Sequence, residues 1–308
     1  MKHISLDLIR VTEAGAIAGS KWVGSGNKLE SDKAATDAMR DRLNGMDFAG
    51  KIVIGEGEKD KSYGLFAGEK IGSRWGSCDG YHGKFNDIAI DPIEGTTPTV
   101  TSGPEAMSVI SVALEGAMFS PSSYYMRKLA YGPEIASKVE LKLNDPLERT
   151  IELVCSATGK EPEQVLVCIL DRPRHHEAIK ELRELGCRIK LIQDCDVSGA
   201  VAACLPDSDI DILYGIGGSP EAILSACAIK CLGGGLQGQE CTKEGESSEP
   251  ILDENELVKG ECAFAGTGIT DGSLLRGVKW NRAKPTTNSV FMRSESKTIR
   301  WVTAEHGN

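Results

Sequence analysis

Between Glu163 and Gly233 the chain alternates short apolar runs with amphipathic segments. The runs are VLVCIL, RIKLIQD and DIDILYGI, and each is followed by a helical pattern: HHEAIKELRELG, SGAVAACLP and PEAILSACAIKCLGG. Strand and helix in strict turn-about specify crossover connections, and crossovers make strands parallel with helices on both faces. Gly186 and Gly233 stand where two of the helices should close. In open sheets of this kind ligands bind beyond the carboxyl ends of the strands. All three runs end in polar or glycine-rich chemistry there: Asp171-Arg172-Pro173-Arg174-His175, Asp194-Cys195-Asp196, and Gly215 through Glu221.

The first half has a different rhythm. Apolar residues at near-helical spacing predict a helix over 6–22, and Asp32 stands before a second helical run through Ala35, Met39 and Leu43. KIVIG, DIAID and AMSVISVAL then read as strands. ECAFAGTGIT, SVFMR and KTIRWV read as late strands, and 241–256, acidic with Ser, Gly and Pro, as a surface excursion. The expected division is therefore an α+β domain over 1–150 and an α/β domain, its sheet mostly parallel, over 151–308.

Charge narrows the function classes. With 45 acidic against 35 basic residues the net charge is −10, and no basic cluster offsets it, so neither nucleic acid nor an anionic membrane surface is an expected partner. No run approaches the roughly 20 apolar residues of a membrane span, and the N-terminus lacks the apolar core of a secretory signal. The 10 cysteines form no CxxC pair and lie mostly in apolar stretches, as reduced, buried thiols do. A cytoplasmic enzyme is expected, or one of an organelle stroma whose transit peptide has been removed.

The densest chemical signal is Asp91-Pro92-Ile93-Glu94-Gly95-Thr96-Thr97, directly after the strand residues Ile88 to Ile90. Carboxylates that converge across a turn repel one another unless a hard cation joins them, and Mg²⁺ or Mn²⁺ suits oxygen ligands. The plain alternative is an Asx-type turn with solvated acids. A second strand also empties into acids, at Glu56 and Glu58 in GEGE, 55–58. Asp32 has an N-cap use as its plain alternative. His175 and His176 begin a helix and have no second histidine at helical spacing, which favours a cap or solvent position over phosphohistidine or metal chemistry. The glycine-rich loop 72–86 lacks a GK[ST] element and reads as a lid or subunit-contact loop.

Asp32, GEGE at 55–58, DPIEGTT at 91–97, DRPRH at 171–175, DCDV at 194–197 and YGIGGSPE at 214–221 together resemble class II fructose-1,6-bisphosphatase, of the lithium-sensitive sugar and inositol phosphatase superfamily. The resemblance runs through nearly the whole chain in order. It implies a layered α-β-α-β-α sugar phosphatase fold and metal-dependent hydrolysis of the 1-phosphate of fructose 1,6-bisphosphate, in gluconeogenesis or Calvin-type sugar metabolism. Carried over position by position, it assigns metal binding with Mg²⁺ or Mn²⁺ to Asp32, Glu56, Asp91, Glu94 and Glu221, and catalysis to Glu56, Asp91 and Thr96. Substrate contacts fall on Gly95, Thr96, Tyr125, Arg172, Arg174, Asp194, Asp196 and Gly218. Arg172 and Arg174 suit the distal phosphate, since guanidinium forks match phosphate oxygens. The partner is a small sugar bisphosphate, and the assembly a homo-oligomer, dimer or tetramer.

Three positions depart from the family pattern: Cys195 stands where glycine is usual between the two aspartates, Lys33 follows Asp32, and Ala222 follows Glu221. The alternatives are a sedoheptulose 1,7-bisphosphatase or dual enzyme, which DRPRH and CLGGGLQGQ bring to mind, an inositol or nucleotide phosphatase, and a silent sugar-phosphate sensor.

Overall fold

The computed structural model describes residues 5–55, 64–75, 85–282 and 284–307. The chain divides into two compact units, residues 1–120 with 258–308, and residues 121–257.

The first unit opens with helices α1 (Ser5–Ser20) and α2 (Lys28–Asn44). The Asn27 side chain accepts from the Glu30 amide and caps α2, so Asp32 lies in the second turn and its N-cap reading is excluded. Strands β1 (Gly50–Ile54), β2 (Lys70–Ile71) and β3 (Asn86–Glu94) follow, then the short helix α3 (Thr96–Thr101) and β4 (Met107–Leu114). Alternation along β3 sends Ile88 and Ile90 into an apolar layer with Leu8 and Val11 of α1, Met39 and Leu43 of α2, and Ile110 and Val112 of β4. That shared layer fixes α2, and with it Asp32, against the sheet.

The second unit contains β5 (Tyr125–Tyr131), α4 (Pro133–Ala136), α5 (Leu147–Thr158), β6 (Leu166–Leu170), α6 (His176–Glu184), β7 (Arg188–Ile192) and α7 (Asp196–Ala202). It continues through β8 (Ile212–Gly218), α8 (Ser219–Leu232), β9 (Gly235–Cys241), β10 (Leu252–Asp253) and α9 (Glu254–Leu257). The strand order is β10-β9-β5-β8-β6-β7. Strands β8, β6 and β7 pair in parallel, as the alternating sequence requires. The remaining pairs, β5 with β8, β5 with β9, and β10 with β9, are antiparallel, so the sheet is mixed rather than mostly parallel. The reason is that β5 enters from outside the alternating stretch and sits between β8 and β9. Val167 and Ile212 pack on one face with Ile151 and Val154 of α5 and Leu182 of α6. On the other face Gly199 of α7 lies so close that a Cβ there would come within 2.8 Å of Cys168 and 2.9 Å of Leu213. The 241–256 segment is exposed or half-exposed from Thr242 through Pro250, as a surface excursion should be, and then enters β10 and α9, whose Leu257 is buried.

The chain then returns to the first unit as β11 (Cys262–Gly268), β12 (Lys279–Asn281), β13 (Lys284–Arg293) and β14 (Thr298–Glu305). Strand β11 pairs antiparallel with both β4 and β13, and β14 pairs with β13. The compact units therefore differ from the two sequence halves: residues 121–150 fold with the second unit, and 258–308 complete the first sheet through hydrogen bonds along β4. The fold is mixed α/β, one sheet to each unit. Among the described residues no helix is long and apolar enough to cross a membrane.

Candidate active site

In the first unit the acids of DPIEGTT do not sit on a free turn. Strand β3 continues through them to Glu94, with a register irregularity in which Asp91 pairs with Val109 and Glu94 with Met107. Three steps on β3 match two on β4, which is a bulge of one residue. Side chains alternate along a strand, so residues three apart would ordinarily face opposite ways. The inserted residue cancels the half-period, and carboxylate oxygens of Asp91 and Glu94 lie within 4.8 Å of each other. The Ile93 amide donates to Asp91 Oδ1 at 3.0 Å and steadies the bulge. Glu94 is only 4% exposed, so its charge is partly stripped of water.

Gly95 follows at φ 97°, a left-handed conformation that a side chain would strain, and it turns the chain straight into α3. At that helix start Thr96 Oγ1 donates to Asp32 Oδ1 at 3.0 Å and approaches the Ile93 carbonyl at 3.4 Å. Asp32, Asp91, Glu94, Gly95 and Thr96 are thus assembled by the end of β3 and the helices α2 and α3. Lys28, which the sequence reading passed over, donates to Thr97 Oγ1 at 2.9 Å, where it brings a cation beside this cluster. Glu56, Glu58 and most of the 72–86 loop lie outside the described residues. Gly55 is described: a Cβ there would run into the Leu65 carbonyl, so the first glycine of GEGE is required by packing.

In the second unit the three strand ends read from sequence do gather functional groups. Arg172 donates to Asp194 Oδ1 at 2.7 Å. Arg174 donates twice to the Ile216 carbonyl, at 3.1 and 2.7 Å, and its guanidinium lies 5.4 Å from the centre of the Tyr125 ring. Both arginines are held by the fold rather than trailing from the helix as loose surface charge. Asp196 is paired with Lys128, Nζ to Oδ2 2.6 Å, and both side chains are buried. This lysine is a functional candidate that sequence reading missed. The one available signal was a basic residue in the middle of the apolar run MRKLAY.

Gly217 and Gly218 serve the acids of their own unit. A Cβ at Gly217 would strike the Asp196 carboxylate, and one at Gly218 would strike that of Glu221. Glu221 lies in the first turn of α8, and its Oε2 is sealed from solvent with no hydrogen-bond partner. Burial pushes the Glu221 carboxyl up, the nearby Asp196 charge adds to this, and Lys128 opposes it. A buried carboxylate oxygen without a proton donor is what a cation ligand looks like before its ion is added. Asp32, Asp91 and Glu94 in the first unit, and Glu221 in the second, each offer the oxygen ligands that suit a hard divalent ion.

His175 is neither a solvent residue nor a nucleophile. Its Nδ1 faces the Leu170 carbonyl at 2.7 Å and its Nε2 accepts from the Ile216 amide at 2.8 Å, an arrangement that needs the neutral ring. Burial correspondingly holds its pKa below the usual histidine value. Cys195, between the two aspartates, adopts φ 71° and ψ 45°, the left-handed region where glycine costs least. Ala222 is buried inside α8 and Lys33 is half-buried on α2.

Comparison with known proteins agrees with this geometry. Residues 2–306 match the family described as bacterial fructose-1,6-bisphosphatase, glpX-encoded. Fructose-1,6-bisphosphatase 1 class 2 of Escherichia coli (strain K12) is 37% identical over 329 aligned positions, covering 99% of this chain and 95% of the relative. The fructose-1,6-bisphosphatase class 2 proteins of Escherichia coli O6:H1 and Shigella flexneri match at the same 37% identity and coverage. The chain belongs to the class 2, glpX-type fructose-1,6-bisphosphatase family.

Proposed function

We propose that this family member hydrolyses the 1-phosphate of fructose 1,6-bisphosphate to fructose 6-phosphate and phosphate, with Asp32, Asp91, Glu94 and Glu221 as its metal-holding residues. The observation that carries the assignment is the β3 bulge, which turns Asp91 and Glu94 onto one face. Glu56 joins the set on the family resemblance, and Glu221 on that resemblance and on its own orphaned oxygen. Mg²⁺ or Mn²⁺ is the proposed ion. When bound, such ions supply charge neutralisation and Lewis-acid polarisation of the phosphoryl group.

The remaining work falls to the chain. Thr96 gives its hydroxyl proton to Asp32, which leaves its oxygen lone pairs to accept from, and so orient, the attacking water. Arg172 and Arg174 supply further N–H donors for the distal phosphate, with Arg174 kept in place by Ile216 and Tyr125. Asp194 and Asp196 accept from sugar hydroxyls, and Gly95 and Gly218 allow backbone to approach the substrate. The protein acts in the cytoplasm as a homo-oligomer. No observation favours sedoheptulose bisphosphate, inositol phosphate or a silent sensor.

Phosphorus NMR of the product tests the regiochemistry. Fructose 6-phosphate is expected, and accumulation of fructose 1-phosphate would overturn the assignment of the arginines to the distal phosphate.

A further inference from the structure

Lys128 is 1% exposed, on the central antiparallel strand β5, and the acceptor its ammonium meets is Asp196 Oδ2 at 2.6 Å. Burying this pair strips both groups of water, a cost that two apolar side chains of similar volume would avoid, so stability alone gives no reason for it. The surrounding residues are nevertheless arranged around the pair. Gly217, directly across from Met126 on β8, could carry no side chain: a Cβ would come within 2.9 Å of Lys128 Nζ and would strike the Asp196 carboxylate. His175 lines the same small cavity with Lys128, Asp196 and Gly217, and its neutral ring, bonded to backbone on both nitrogens, leaves the Lys128 charge directed at the carboxylate. Asp196 begins α7 directly after the strained Cys195, so backbone and ammonium together decide where the carboxylate points.

We propose that Lys128 is the positioning residue for Asp196: it holds Oδ2, and thereby presents Oδ1 to the sugar hydroxyls of the substrate without touching substrate itself. This rests on the bisphosphatase reading and on Asp196 as a sugar contact. Because Lys128 acts through Asp196, its effect must vanish once Asp196 has lost its charge.

The test is a double-substitution cycle in the full-length enzyme, with KM and kcat for fructose 1,6-bisphosphate read separately and thermal midpoints recorded. Lys128→Met is expected to raise KM about 10- to 100-fold, the range of a hydrogen bond to a charged group, with a much smaller change in kcat. Asp196→Asn is expected to raise KM comparably. Adding Lys128→Met to Asp196→Asn should leave KM within about twofold of Asp196→Asn alone. A purely structural lysine would lower the midpoint and the active fraction but leave KM unmoved, and that result would overturn the proposal. So would a further tenfold rise of KM in the double variant. If Lys128→Met fails to fold, Lys128→Gln, whose amide can still donate to the Asp196 carboxylate but carries no charge, takes its place in the same cycle with the same two readouts. A wild-type enzyme that releases no phosphate would refute the bisphosphatase reading itself, whereas additive substitutions in an active enzyme refute only the role of Lys128.

Discussion

Asp91 and Glu94, three residues apart on one strand, share a face because a one-residue bulge stands between them. The bulge converts a spacing that would divide two carboxylates into one that brings them together. Asp91→Asn and Glu94→Gln should each lower kcat/KM by at least about 100-fold, since each removes charge from the proposed ion site. Each should also raise the metal concentration for half-maximal activity. Steady-state kinetics across a metal titration measures both, and unchanged half-activation would detach these acids from the metal.

Thr96 contributes through its hydroxyl, which bonds Asp32 at the start of α3. Thr96→Ser keeps that oxygen and should retain most of the activity. Thr96→Val keeps the shape and should lose about 10- to 100-fold in kcat, the worth of a charge-assisted hydrogen bond. Equal rates for the two variants would contradict the water-orienting role.

His175 gives stability a pH dependence of known sign. Its folded pKa is lowered, first by burial, so in the window below the ordinary 6.5 the unfolded chain binds a proton that the folded chain refuses. This contribution is full above that value and is lost as pH falls. The thermal midpoint should therefore drop between about pH 7 and pH 5.5 more steeply in the wild type than in His175→Gln, which has no proton to take up in that range. Parallel profiles would remove His175 as the source.

Cys195 occupies left-handed backbone between two ion-paired aspartates. As the residue that caps α7 from left-handed backbone, it stands where glycine is favoured over alanine, so Cys195→Gly should be more stable than Cys195→Ala by about 1 kcal/mol. Chemical denaturation of the two variants measures the difference directly.

Of the nine described cysteines Cys155 alone is not buried. Burial pushes the Cys187 thiol up to about 11 and Cys204 higher still, which disfavours the reactive thiolate. Among the described cysteines Cys155 should therefore alkylate first in the native protein, as peptide mass mapping after brief iodoacetamide treatment would show.

How far the sequence foretold this structure depends on whether the signal was local. The β6-α6-β7-α7-β8-α8 run was readable because each element carries its own period and its own terminating glycine or acid. Strands β5 and β9 were not: MRKLAY sets Arg127 and Lys128 among its buried apolar residues, and GLQGQEC spends most of its buried positions on glycine and polar groups, so neither shows a clean apolar alternation. The DPIEGTT acids were legible as a cluster, but as a turn; a bulge depends on register with β4, which local sequence does not contain. Pairing of Lys128 with Asp196 spans 68 residues and was invisible for the same reason. At Cys195 the departure from glycine correctly marked a position of special backbone.

The most direct measurement is phosphate release from fructose 1,6-bisphosphate by the purified protein, first stripped with EDTA and then resupplied with Mg²⁺ or Mn²⁺, beside Glu94→Gln treated identically. The expected result is no release from the stripped enzyme, restored turnover when either ion suffices, and little recovery in Glu94→Gln. Undiminished release after stripping, or full recovery in Glu94→Gln, would contradict the assignment of the bulged strand end as the metal site.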